Sequence, residues 1–325
     1  MWSQIISHNR QIDQLKKALA SGRLPNAYVF AGPSGIGKQL VAFSFAQAAL
    51  CENKTDDQDA CGICAACRKF TSNNHPDFFL IEPELSERGA TQNIKIDTIR
   101  DLQSNLKFSP LEASLKISII DGADRLMEAA ANSLLKILEE PPPATHFILI
   151  TPYPHRLLPT IRSRCQHMSF SPIPEKALAK EISKRQSISA NDALRIAKLS
   201  GGSLGTASAL EPEFVEDVLG RFLPLTKKAS SADIIETAQA WKEMDLSQTK
   251  LIFDLLASWY RDILRYQATK KEAELIHPEA ASLANGLAAS RLFQNLASIT
   301  VARLAADTAA NKQLMFEQLL FSLTN

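Results

Sequence analysis

The stretch AYVFAGPSGIGKQ, residues 27–39, decides the fold. Tyr28, Val29 and Phe30 form a short uninterrupted apolar run, as in a strand buried on both faces. The run leads into glycines at 32, 35 and 37, after which Leu40, Val41, Phe43 and residues 46–50 continue as a helix. A strand, a glycine-rich turn and a helix in that order give context to the match of residues 32–38 to G-x-x-x-x-G-K. Glycines let backbone N–H groups turn inward around a polyphosphate, the helix amino end adds positive potential, and Lys38 supplies a point charge. The residue after the lysine should be Ser or Thr to hold magnesium, and it is Gln39. Two readings stand: an ATP or ADP site built on Gly32, Gly35, Gly37 and Lys38, or an inherited loop that no longer binds nucleotide.

Outward from this loop, strands are predicted at 78–81, 116–121 and 146–151, separated by helical or irregular segments. That alternation predicts an α/β fold, a mostly parallel sheet covered by helices. Lys116–Asp121, reading KISIID, is an apolar strand ending in an acid, the expected form of a Walker B strand with Asp121 beside magnesium. Asp124 is expected to cap the helix that follows. That helix, within AAANSLLKILEEPP at 129–142, has Leu134, Leu135 and Leu138 as core positions and is stopped by proline.

Cys51, Cys61, Cys64 and Cys67 cluster, with only Cys165 elsewhere. Such spacing predicts a metal knuckle before disulfides. Four thiolates close a tetrahedral shell around zinc and leave no open position, so the site should be structural. Unliganded buried thiols or an iron–sulfur cluster on the same ligands are the alternatives. Near Cys165, Arg164 at the edge of a nucleotide fold can reach a phosphate on a neighbouring subunit. Taken alone, an arginine there is more often a surface or intrachain carboxylate pair.

Composition bounds the remaining possibilities. The chain has 325 residues, 45% hydrophobic and 22% charged, which suits two or three globular domains and excludes disordered and fibrous classes. A formal net charge of +1 gives no footprint for gripping nucleic acid alone, which counts against a free-standing zinc-dependent nucleic-acid binder. No stretch is long and apolar enough to span a bilayer, so a cytoplasmic protein with no membrane association is expected. The proline-rich run at 170–174 reads as a linker. Domains are expected at 1–167 (phosphate loop, with the knuckle at about 51–67), 168–211 (a small helical domain) and 212–325 (all helical, with Ile252, Leu255, Leu256, Trp259 and Ile263 on one helix face).

Taken together, these residues resemble bacterial DNA polymerase III clamp-loader subunits over nearly the whole chain. The glycine loop, the knuckle, His75-Pro76-Asp77, the AAANSLLKILEEPP helix and Ser163-Arg164-Cys165 occur in family order. The resemblance implies an AAA+ nucleotide fold, a helical lid, and a carboxy-terminal domain packing into a collar of a hetero-pentamer with gamma/tau and delta subunits. It implies the sliding clamp and primer-template DNA as partners through that complex, and Thr151 at the first sensor position. Members divide into an ATP-hydrolysing gamma/tau motor and a non-hydrolysing stator. A motor needs a magnesium hydroxyl, a catalytic glutamate and a sensor-two arginine; here these positions hold Gln39, Gly122 and Gly205. With Arg164 retained as an arginine finger acting in trans, the resemblance implies the stator; the motor, or an autonomous AAA+ ATPase, is the alternative.

Overall fold

The computed structural model describes every residue except 85–92, 228, 273–274, 285, 307–310 and 325. The described residues form two compact units, Met1–Leu178 with Gly202–Gly205, and Ala179–Gly201 with Thr206–Asn325. The first unit runs α1 (Asn9–Ser21), β1 (Ala27–Ala31), α2 (Lys38–Leu50), α3 (Ala65–Thr71), β2 (Phe78–Ile81), α4 (Ile96–Leu106), β3 (Lys116–Asp121), α5 (Glu128–Glu139), β4 (Thr145–Thr151), α6 (Pro159–Arg162) and β5 (Gln166–Ser169). All strand pairs are parallel, in the order β2-β3-β4-β1-β5.

Two-sided burial explains the apolar runs. Side chains alternate across a strand, so Tyr28 and Phe30 of β1 meet Val41 and Phe45 of α2, while Val29 and Ala31 join the opposite layer with Leu102 of α4 and Leu134 of α5. In β4, Ile148 and Ile150 face the first layer, Phe147 and Leu149 the second. All of these strand residues are buried, and the carboxyl ends of β1, β3 and β4 emerge side by side through the pairs Ala31↔Thr151 and Asp121↔Ile150. Ligands of open parallel sheets bind along that edge.

Two expectations change. The sheet contains β5, where the sequence reading placed the end of the domain near His167; it pairs Val29 with His167 and Phe30 with Met168. Asp124 does not cap α5: the residue before that helix is Met127, with no side-chain cap, and the Asp124 carboxylate is engaged by Thr151 instead.

The second unit is helical among its described residues. It holds α8 (Ala190–Leu199), α10 (Pro212–Lys227), α11 (Ser231–Lys242), α12 (Leu246–Thr269), α13 (Ala289–Ala305) and α14 (Lys312–Thr324), with α7 (Glu175–Gln186) and α9 (Leu204–Ser208) at its boundaries with the first. Capping boxes start α11 at Ser230 with Asp233 and α12 at Asp245 with Gln248. The α12 face carrying Ile252, Leu255, Leu256, Trp259 and Ile263 is buried throughout. Among the described residues, no helix is long and apolar enough to cross a membrane.

Candidate functional site

The phosphate loop lies between β1 and α2 and needs its glycines. Gly35 and Gly37 have φ of +71° and +99°, conformations that side chains disfavour. The loop is braced by two groups that no sequence pattern announces. His8 Nε2 lies 2.8 Å from the Ile36 carbonyl, and the Gly205 N–H donates to the Gly35 carbonyl at 3.0 Å.

Each side chain expected to touch nucleotide has a partner inside the chain. The Lys38 ammonium, 5% exposed, donates to the carbonyls of Gly32 at 2.7 Å and Pro33 at 2.6 Å. Burial lowers its pKa, while Asp121 and Asp124 pull it back up. Gln39 donates to Glu82 at 2.7 Å. Burial raises the Asp121 carboxyl above its ordinary range, opposed by the Gly122 N–H, which donates to it at 2.8 Å. Thr151, fully buried, donates to Asp124 at 2.8 Å and accepts from the Tyr153 N–H at 2.9 Å. The residues of this expected site therefore gather at one end of the sheet.

The positions lacking catalytic groups are filled by packing. Gly122 is left-handed, with φ +68°, and a Cβ there would sit 2.8 Å from Pro83 Cγ. A Cβ at Gly205 would sit 3.2 Å from the Gly35 Cα. Neither a glutamate at 122 nor an arginine at 205 fits without moving backbone or a proline ring.

The four knuckle thiols converge, all sulfurs lying within 4.8 Å of one another. Cys51 and Cys64 Sγ are 3.9 Å apart and Cys61 and Cys67 4.0 Å, close to the ~3.8 Å edge of a tetrahedron with ~2.3 Å zinc–sulfur bonds. N–H groups of Cys61, Cys64 and Cys67 point at the sulfurs of Cys51, Cys61 and Cys64 at 3.3 to 3.4 Å, as donors that stabilise thiolates do. Burial raises the Cys64 thiol, but N–H donors of Cys67 and Glu52 and the adjacent thiols bring it down to about 6. Burial pushes Cys51 and Cys67 up. The residues fit a four-coordinate soft metal ion. Cys165 stands apart from this cluster, its thiol pushed up to about 11 by burial.

Below the knuckle, Asp77 is fully buried and accepts the N–H groups of Leu111, Glu112 and Ala113 at 2.7 to 2.8 Å. Arg164 lies outside the phosphate-loop cluster. Its Nη2 is 2.8 Å from Glu139 Oε1 and its Nη1 donates to the Thr160 carbonyl at 3.0 Å. This is the intrachain carboxylate pair that the residue type alone favoured. Glu82, Pro83, His8 and Glu139 escaped the sequence reading because each acts on a residue far away in the chain; the 75–77 motif was visible without its partners.

Comparison with known proteins agrees with this geometry. The family profile described as "DNA polymerase III, delta subunit" matches residues 7–174, and "DNA polymerase III, delta subunit, C terminal" matches 220–325. The delta' subunit of Pseudomonas aeruginosa DNA polymerase III is 35% identical over 77% of this chain and 75% of its own. The delta' subunit of Bacillus subtilis is 33% identical over 79% of this chain and 77% of its own. The Bacillus subtilis tau subunit is 30% identical over 82% of this chain, which spans 50% of that longer relative. A parallel sheet with a braced phosphate loop, two matching family profiles and relatives aligned over most of both chains lead to one conclusion: this chain belongs to the delta-prime subunit family of DNA polymerase III.

Proposed function

We propose that this chain is the stator of a DNA polymerase III clamp loader. One observation carries the proposal: the departures from a hydrolysing site are built into packing, with Gln39 bound to Glu82, Gly122 against Pro83 and Gly205 against Gly35. Without a glutamate to orient water or a hydroxyl for magnesium, the chain does not turn over ATP by itself. ATP or ADP binds weakly, if Lys38 leaves its loop carbonyls for phosphate. Arg164 is instead the finger that completes the ATP site of an adjacent motor subunit. On this reading the nucleotide fold runs from residue 1 through β5, the lid follows it to residue 211, and 212–325 are the collar. The partners are gamma/tau and delta subunits in a cytoplasmic hetero-pentamer that places the sliding clamp on primer-template DNA. The knuckle holds one structural zinc through Cys51, Cys61, Cys64 and Cys67.

The test compares the purified chain with the reconstituted loader. The chain alone is expected to show negligible ATP turnover. In the loader, Arg164→Ala should leave assembly intact and lower DNA-stimulated turnover and clamp placement; such fingers are worth about 10³ to 10⁵ in rate at a single site. Arg164→Lys should rescue poorly, because a point charge does not reproduce the guanidinium fork. The motor reading is favoured by the similarity to the tau relative and by the intact glycines of the loop. Steady turnover by the isolated chain, abolished by Lys38→Ala, would install it.

A further inference from the structure

Arg164 does not project freely. Its two terminal nitrogens are held, Nη2 by Glu139 and Nη1 by the Thr160 carbonyl, and both members of the ion pair stand on packed elements. Glu139 is the last residue of α5, where the Glu140 N–H still donates to the Lys136 carbonyl. Arg164 follows α6, its N–H donating to the Ile161 carbonyl at 3.1 Å. Leu134 and Leu138 of α5 share a buried cluster with Leu157 and Ile161 around α6, so the two ends of the pair have little freedom to drift apart.

Glu139 is also placed against its local electrostatics. A carboxylate in the last turn of a helix faces the negative end of the helix dipole, and Glu140 follows it directly. A cation brought to that helix end offsets the cost, and Arg164 is the cation in contact. A guanidinium has five N–H donors. The Glu139 and Thr160 contacts use two, leaving Nε–H and one N–H on each terminal nitrogen for an anion from outside the chain. The side chains of Arg164 and Glu139 are 38% and 44% exposed, so an incoming triphosphate can reach the guanidinium without unfolding anything.

We propose that Glu139 is the positioning residue of Arg164, fixing the plane of the guanidinium so that its remaining donors meet the phosphates of a nucleotide held by the neighbouring subunit. This rests on the reading of Arg164 as a finger acting in trans. Glu139 touches no nucleotide; it acts only through the arginine. Because the pair is partly exposed, its energetic worth is modest, up to about fivefold in an equilibrium constant. Its effect falls on geometry at the transition state, where a small misplacement of a charged group is expensive.

The experiment uses the reconstituted loader with primed DNA and clamp, measuring kcat and KM for ATP with Glu139→Gln, Glu139→Asp, Arg164→Ala and the double variant Glu139→Gln with Arg164→Ala. Assembly is checked for each by size-exclusion chromatography. The expected result is a kcat lowered about three- to tenfold by Glu139→Gln with little change in KM, since lost orientation is felt mainly in the transition state. Glu139→Asp should fall between, and the double variant should be no slower than Arg164→Ala. Should Glu139→Gln fail to assemble, the assembled Glu139→Asp loader decides by the same kcat criterion. A normal kcat in the assembled Glu139 variants alongside a slow Arg164→Ala loader overturns the inference and leaves the finger standing. Faster turnover in Glu139→Gln makes Glu139 a brake and also overturns it, as does a double variant slower than Arg164→Ala by the full Glu139 effect. A normal Arg164→Ala loader removes the finger reading itself.

Discussion

A single buried carboxylate shows how much one residue organises in this chain. Asp77 gathers three N–H groups from the segment before β3, and these hold its carboxyl below the ordinary range although burial pulls the other way. A depressed carboxyl contributes stability above its unfolded pKa, about 3.9, and loses it as the pH falls through the folded value. Asp77→Asn should therefore cost about 1–3 kcal/mol at neutral pH, since the amide nitrogen cannot accept and strands a buried donor. Urea denaturation at pH 7 and pH 3 checks both parts: the deficit should shrink in acid. At the knuckle, Cys64→Ser is expected to lower bound zinc from about one per chain and to lower the thermal midpoint, read by elemental analysis and calorimetry. Iron in place of zinc, or no metal with freely titrating thiols, would remove that assignment. The cysteine cluster was visible in the sequence because its spacing is local, whereas the donors that meet Asp77 lie over thirty residues away.

At the scale of elements, strands buried on both faces were the most legible. β1, β3 and β4 are largely apolar and buried along nearly their whole length because helices cover both sides of the sheet, whereas the apolar run of β2 is only partly buried. β5 reads QHMS with only Met168 buried, and it exists as a strand because β1 offers it an edge, which no local pattern announces. In α12, the buried face was equally plain, but not the polar group it conceals. Ser258 donates to the Leu255 carbonyl at 2.7 Å, and the same oxygen lies 2.7 Å from Nε2 of the fully buried His277. Burial, with a smaller effect of Arg195, holds that imidazole down to about 3. The folded chain therefore keeps His277 neutral while the unfolded chain protonates it below about 6.5, so stability falls as the pH drops through that value. Between pH 6.5 and 5 the loss should be about 1.5 kcal/mol, because the slope starts at half of its limiting value of about 1.4 kcal/mol per pH unit. Asp262, raised by burial, has the opposite sign, so the slope is read as the difference between wild type and His277→Gln. Equal slopes in the two proteins would show that His277 is protonated inside the fold.

At the scale of the molecule, the two units carry different sensitivities. The thiol cluster belongs to the first and His277 to the second. A chain of this size departs from two-state unfolding. Calorimetry is expected to resolve two transitions, one lowered by a chelator at neutral pH and the other by mild acid; a single transition moved equally by both would contradict this. The order of loop, knuckle and helix was legible along the chain, while the partners from distant parts of the same chain that brace the phosphate loop were not. Those partners also bear on redesign. A glutamate placed at 122 alone would meet a left-handed backbone and put its Cβ 2.8 Å from Pro83 Cγ, so the single substitution is expected to strain the turn without installing ATP turnover. A retrofit of this chain has to alter Pro83 together with Gly122.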